Sequence, residues 1–169
     1  MRQIIKIIVA IAVLFNSTLL MAQYDPKAKR ILDAMSEKYK QIPAFKANFS
    51  YKIESTEDDV AENVDGNIVV KKNKYKIVNE VTITEYEPDP ESLSPTEVPN
   101  MYKEGFKYRF VEEKKVGGST HEIIELNPED TDLSYFKIEL SIDKQNKTLH
   151  SWKFIDGSGR KYAYYNTDF

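Results

Sequence analysis

Residues 44–53 alternate strictly between apolar and polar side chains, and this pattern limits the possible folds more than any other feature of the chain. Successive side chains of a β-strand point to opposite faces, so the pattern predicts a strand with one buried and one solvated face. The side chains predicted for the buried face are Phe45, Ala47, Phe49, Tyr51 and Ile53.

Similar patterns recur along the rest of the chain, at residues 66–71, 74–84, 105–110, 121–126, 135–142, 149–155 and 161–165. They predict seven or eight strands. Residues 74–84 are interpreted as one alternating segment with Tyr75, Ile77, Val81 and Ile83 on a single face, which Asn79 interrupts, so that a bend at Asn79 stays open. Because helical segments are few, we predict an α+β fold. Its expected form is an incomplete antiparallel β-barrel, or strongly curved sheet, with a small helical lid around an apolar cavity.

Composition excludes several classes of protein. The chain has 169 residues, which suits one domain, and no cysteine, which excludes disulfides and cysteine-based metal sites. The formal net charge is −3, and basic residues are mixed with acidic neighbours along the sequence, so no nucleic-acid partner is expected. We expect a monomer.

Residues 1–22 have the pattern of a cleaved secretory signal peptide. Arg2 and Lys6 precede an apolar run, and the run ends at Ala22, so cleavage is predicted between Ala22 and Gln23. A membrane anchor is the alternative, but the run is short and is interrupted by polar residues 16–18. No cysteine follows for lipid attachment, so we expect a soluble exported domain over residues 23–169, with a charge near −5 once two cations are removed.

Two segments are predicted to cover the sheet. Asp25 and Pro26 favour a helix start, apolar residues follow at helical spacing as far as Ile42, and Pro43 ends the helix. Residues 86–100 form a proline-rich loop in which the Ser-Pro-Thr-Glu sequence of residues 94–97 resembles a capping box. The helix could simply pack on the sheet or also close its open end, and the loop could be a lid or a plain connector.

A catalytic set is not evident. His121 and His150 are each in or beside a predicted strand, without a third metal ligand at suitable spacing, and both are expected on the surface. Ser158 lies between two glycines in a predicted hairpin turn, which is the wrong context for a nucleophile. We therefore predict no enzyme activity, no metal and no cofactor, although an acid pair assembled by folding stays open.

One apolar sheet face needs a cover, and the predicted cover is thin for so many strands. The face could bury only protein, or it could also bury an acyl chain, which gains about 0.8 kcal/mol for each buried methylene. The residues alone leave these two alternatives open.

Several motifs resemble the LolA-type family of periplasmic outer-membrane lipoprotein carriers, and their order along nearly the whole chain carries the resemblance. The motifs are the leader without a lipidation cysteine, the helix at residues 28–42, residues 42–49 (IPAFKANF), residues 66–72 (GNIVVKK), Ser94-Pro95, residues 126–128 (LNP) and residues 156–159 (DGSG). The resemblance implies an incomplete barrel that shields acyl chains. It also implies three partners: acylated lipoproteins, an inner-membrane transporter that releases them and an outer-membrane acceptor.

The chain departs from the family pattern at two places. About one β-hairpin is lacking after Val78, and Lys72 stands where the family has an arginine that ties the lid to a strand. Lysine cannot make the planar two-pronged bonds of arginine, so a weaker latch is expected at Lys72.

The resemblance and the alternation together nominate the site residues. The predicted lipid-binding wall is Phe49, Tyr51, Val70, Tyr75, Ile77, Phe106, Tyr108, Ile138, Leu140, Trp152 and Phe154. The predicted lid residues are Leu32, Met35, Leu93, Val98 and Met101. Two other functions stay open. One is a non-catalytic sensor domain of the same fold that recognises lipoproteins by contact, and the other is a periplasmic hydrolase.

Overall fold

Strict alternation in the sequence gives one antiparallel sheet. The computed structural model describes residues 24–54, 61–71, 74–79, 83–86 and 97–168. Within these ranges one α-helix, α1 (Pro26–Lys40), precedes the sheet, and a 3-10 helix (Met101–Lys103) lies in the middle of the chain. The strands are β1 (Ala44–Glu54), β2 (Ala61–Lys71), β3 (Lys74–Asn79), β4 (Ile83–Tyr86), β5 (Phe106–Val116), β6 (Ser119–Pro128), β7 (Tyr135–Asp143), β8 (Leu149–Asp156) and β9 (Lys161–Asp168).

The start of α1 follows the sequence prediction. The carboxylate of Asp25 accepts a hydrogen bond of 2.7 Å from the Lys27 amide, and Pro26 occupies the first turn. Asp25 also accepts from the Phe110 amide at 2.9 Å, and its own amide donates to the Tyr108 carbonyl at 3.1 Å. One residue therefore both caps the helix and ties it to the edge of β5.

The strand order is β4-β3-β2-β1-β9-β8-β7-β6-β5, so the described strands form an open sheet with β4 and β5 at its edges. The predicted fold class, an incomplete barrel or curved sheet with a helical cover, is confirmed. Two consecutive meanders, β1–β4 and β5–β9, meet where the first strand pairs with the last.

The apolar face is divided between two separate buried clusters in the described residues. The packed cluster joins α1 and the segment at residues 98–102 to the faces of β5–β8, around Leu126, Ile138 and Leu140, which are fully buried. The smaller cluster lies on β1–β3 and contains Ala47, Ile68, Val70 and Tyr75. The helix thus covers one part of the sheet, and we call the face that it covers the inner face.

Two predictions about the strands were wrong. Residues 74–84 are not one strand, because the backbone pairs Ile83 with Val78 as neighbours in the β3–β4 hairpin. This register puts position 83 on the face opposite Ile77, and the described residues form nine strands instead of the predicted seven or eight. Val81 lies outside the described residues.

The described end of the predicted lid loop contains a turn at residues 97–100, and the short 3-10 helix follows directly after the loop. The predicted helix start at residues 94–96 and the signal peptide lie outside the described residues. None of the helices in the described ranges has the length and apolar character needed to cross a bilayer.

Candidate ligand-binding face

Strand register places all eleven predicted wall residues on the inner face. Phe49 and Tyr51 are opposite Gly66 and Val64 on one side, and opposite Asn166 and Tyr164 on the other. The same face continues across the sheet as far as Tyr108 and Phe106 on β5. The cross-strand pairs that form it are Val70–Tyr75, Ile68–Ile77, Tyr162–Phe154, Tyr164–Trp152, Phe154–Ile138, Trp152–Leu140 and Ile138–Leu126. Whether these side chains contact a ligand stays a prediction.

The wall residues differ in how much packing they already have. Tyr108, Ile138, Leu140 and Trp152 are buried in the packed cluster, with Phe106 and Phe154 partly buried against it. Val70 and Tyr75 are buried in the smaller cluster, whereas Phe49 and Ile77 are half-buried at its margin. Tyr51 is half-buried as well. The wall residues in the packed cluster therefore serve as protein core. The half-buried residues Phe49, Tyr51 and Ile77 are the better candidates for ligand contact.

A strip of aromatic rings crosses the inner face between the two clusters. Trp152 stacks on Tyr164 with a centroid separation of 4.3 Å and an interplanar angle of 8°, and Phe154 stacks on Tyr162 at 4.4 Å and 6°. The Tyr51 ring lies 4.6 Å from the Tyr164 ring and 6.3 Å from the Tyr162 ring. Stacked rings of neighbouring strands make this strip a rigid apolar surface.

Sequence reasoning missed Tyr162 and Tyr164 as candidates, although they supply the middle of this strip. Residues 161–165 alternate only weakly, since Ala163 and Tyr165 on the other face are not strongly polar. The signal that could have found them is their spacing of two residues, which matches Trp152 and Phe154 on the preceding strand.

A polar network fastens the segment at residues 97–103 to α1. Ser36, which is 2% exposed, donates to the Asn100 side-chain oxygen at 2.7 Å, and the Lys103 ammonium donates to both of these oxygens at 2.8 and 2.6 Å. The Tyr102 hydroxyl donates to Asp33 at 2.6 Å. Hydrogen bonds from Lys29 and Tyr102 lower the pKa of Asp33, which keeps this acceptor charged.

The predicted lid residues Leu32, Met35 and Val98 are buried in the packed cluster, and Met101 packs against it. Leu93 and the predicted latch Lys72 lie outside the described residues. The contacts that hold this cover run instead through Ser36 and Asp33 on the helix and through Asn100, Tyr102 and Lys103. Sequence reasoning missed all five, because polar residues 64 or more positions apart give no pairing signal.

The expectation that both histidines lie on the surface was wrong for His121. This ring is 3% exposed, shares a hydrogen bond of 2.9 Å with the Ser141 hydroxyl, and lies 4.6 Å from the His150 ring. Its Nε2 atom is 3.9 Å from the Asp143 carboxylate. Burial, and secondly the neighbouring His121, lower the pKa of His150. Among the described residues, no three His, Asp or Glu side chains converge as metal ligands.

Comparisons with known proteins support the fold. Neither a protein-family model nor a curated protein matches the sequence. Among solved structures, lipoprotein LppX of Mycobacterium tuberculosis is similar at 9% identity, with a TM-score of 0.53, covering 85% of this chain and 95% of that one. MucB of Pseudomonas aeruginosa in its complex with MucA is similar at 14% identity, with a TM-score of 0.53, covering 84% of this chain and 56% of that one.

A LolA superfamily protein of Nitrosomonas europaea is also similar, at 11% identity with a TM-score of 0.40, covering 83% of this chain and 91% of that one. The similarities to LppX and MucB, each with a TM-score of 0.53, support the fold that the sequence resemblance implied.

Proposed function

We propose that this protein is a non-catalytic carrier that shields acyl chains of lipoproteins on the inner face of its sheet. The observation that carries the proposal is the continuation of the apolar face beyond the packed cluster. That face runs from the covered strands β5–β8, through the half-buried rings of Tyr51, Tyr162 and Tyr164, to Phe49 and Ile77.

Apolar surface of this kind suits an acyl chain on energetic grounds. Each buried methylene contributes about 0.8 kcal/mol, so half of one chain supplies several kcal/mol without any polar contact. Aromatic rings fixed by stacking lose little side-chain entropy when a ligand arrives, which favours binding further. Tyrosine also suits the margin of such a site, since its hydroxyl can stay in water while the ring is buried.

The wider role follows from the sequence resemblance and is part of the proposal. The chain would be exported by its signal peptide, act in the periplasm, receive acylated lipoproteins from an inner-membrane transporter and deliver them to an outer-membrane acceptor. The segment at residues 97–103, fastened to α1, would be the cover that moves when cargo enters.

A second candidate function is an interaction domain that recognises a protein partner without carrying lipid. The similarity to MucB, whose structure was solved in complex with MucA, favours this alternative. Lipid that stays bound through purification would separate the two functions, because only the carrier needs it.

The decisive experiment is native mass spectrometry of protein purified without detergent from the periplasm of a Gram-negative host, before and after incubation with an acylated lipoprotein. We expect lipid or acylated peptide to be bound. The double variant Phe49→Asp/Tyr51→Asp places two charges on the inner face of β1 and should lose this mass while keeping its far-UV circular dichroism.

The matched control is Lys46→Asp/Ser50→Asp, which alters the other face of the same strand and should keep the ligand. Unchanged binding in the inner-face variant would refute the assignment of the site. A folded wild-type protein with no lipid mass would favour the interaction domain.

A further inference from the structure

Strand register also assembles charge on the outer face, opposite the candidate site. Two cross-strand rows run from β5 to β1, and one contains Arg109, Glu125, Glu139, Lys153, Ala163 and Lys52. The second row contains Lys107, Asn127, Lys137, Ile155, Lys161 and Glu54. Together they place six cations and three carboxylates on one surface, which we call the basic outer face.

Ion pairing leaves much of this positive charge uncompensated. Glu125 is shared by Arg109 at 2.8 Å and Lys137 at 2.5 Å, and Lys153 lies 3.7 Å from Glu139. Lys52, Lys107 and Lys161 form no ion pair with another residue of the described ranges. A chain whose net charge is −3 therefore carries a surface of about +3.

The basic outer face has a concavity at its centre. A cavity of about 260 Å³ lies over β7–β9 and is lined by Lys137, Lys153, Lys161, Glu139, Phe154 and Ile155. Three lysines and one glutamate thus line this opening, and Ile155 gives it an apolar wall on the outer face. This combination suits a phosphate group attached to an apolar body better than it suits a hydrated inorganic ion.

We propose that the basic outer face docks the protein onto an anionic phospholipid membrane, with a headgroup phosphate in the lysine-lined cavity. The cations extend over six strands, or about 24 Å, which matches a charged surface and exceeds the reach of a single small anion. The proposal does not depend on the carrier function, because it concerns the opposite face of the sheet.

The expected strength follows from general membrane electrostatics. Each lysine near an anionic surface raises the partition coefficient about fivefold, and salt weakens this attraction because it screens exposed charges. Removal of two lysines should therefore lower binding by at least tenfold.

The test is co-sedimentation of the purified protein with vesicles of 30% phosphatidylglycerol in phosphatidylcholine, and with vesicles of phosphatidylcholine alone. We expect binding to the first kind only, and a loss of at least tenfold for Lys153→Gln/Lys161→Gln. The matched control Lys114→Gln/Lys115→Gln removes two exposed lysines of β5 that lie outside the two rows, and it should bind like the wild type.

A competition experiment distinguishes binding to a membrane from binding to a soluble phosphate compound. Glycerol phosphate at constant ionic strength should not displace the protein from the vesicles, since it engages only the cavity. Equal binding by both double variants, equal binding to neutral vesicles, or full displacement by glycerol phosphate would each overturn the proposal. Circular dichroism spectra checked for every variant exclude misfolding as the cause of a loss.

Discussion

The two halves of the sheet differ in how they use the same alternating pattern. Strands β5–β8 bury their inner face under α1 and the segment at residues 98–102, in a cluster with fourteen buried apolar residues. The described residues of β1–β3 form a cluster with only four, flanked by half-buried aromatic side chains. The difference indicates that the packed cluster on β5–β8 contributes more burial than the cluster on the described residues of β1–β3, where several aromatic side chains of the same face stay half-buried.

The largest expected effect comes from opening the packed cluster. Leu140 is fully buried, so Leu140→Ala should lower the free energy of unfolding by about 2–5 kcal/mol, through lost burial and the cavity left behind. The counterpart Ile77→Ala, at a half-buried position of β3, should cost about 1 kcal/mol. Urea denaturation measures both. Equal costs would show that the two halves do not differ in packing.

The second prediction concerns the tightest contact in the less packed half. A Cβ atom on Gly66 would lie 2.7 Å from the Val78 carbonyl oxygen and 2.8 Å from the Phe49 ring. Gly66→Ala should therefore cost about 1–3 kcal/mol by overpacking. In a double-mutant cycle, Phe49→Ala should recover part of this cost, and strict additivity would show that the ring is not the obstacle.

The third prediction tests the fastening of the cover. Tyr102→Phe removes the hydroxyl that donates to Asp33, so it should cost about 1 kcal/mol and speed amide hydrogen exchange at residues 101–103. The control Tyr135→Phe alters a half-buried tyrosine outside that network and should leave this exchange unchanged. Faster exchange in both variants would show that loss of the Tyr102–Asp33 hydrogen bond is not its cause.

The smallest effect is a pH dependence from His150. Its pKa is lowered in the fold, chiefly by burial and secondly by His121, so the folded state binds fewer protons than the unfolded state. Stability should fall as pH drops below about 6.5, the ordinary value in an unfolded chain, until the lowered pKa is passed. His150→Gln should flatten this slope in urea titrations between pH 7 and 5. An unchanged slope would exclude His150 as its source.

Local patterns predicted most of the inner face, because alternation over residues 44–53 and 138–142 reports which side of each strand is buried. The pattern was wrong for Phe136, which was expected beside Ile138 but is 53% exposed, because the register shifts between Tyr135 and Lys137. The start of α1 was also predicted from the sequence, since Asp25 and Pro26 act within one turn of the chain. The β3–β4 hairpin was misread, because the sequence between the two strands, at residues 80–82, contains neither glycine nor proline to signal a break.

Features that arise only when the strands pair could not be predicted from the sequence. Lys52, Lys137 and Lys161 are far apart along the chain, so the basic outer face exists only after the strands pair. The same holds for His121, which is buried because Ser141 and His150 come from two other strands. In both cases long-range pairing, which composition does not encode, decides the outcome.

The pairing of β1 with β9 has a consequence for the order in which the chain can fold. Every other strand contact joins neighbours in sequence, whereas this one closes a loop of more than 100 residues. Strands β1–β4 and β5–β9 can therefore each assemble by fast local steps, whereas the joining of the two meanders waits for the last strand to arrive. Since α1 packs on β5–β8, this helix leaves the ribosome before β1–β4 but gains its tertiary contacts only after β5–β8 have been made.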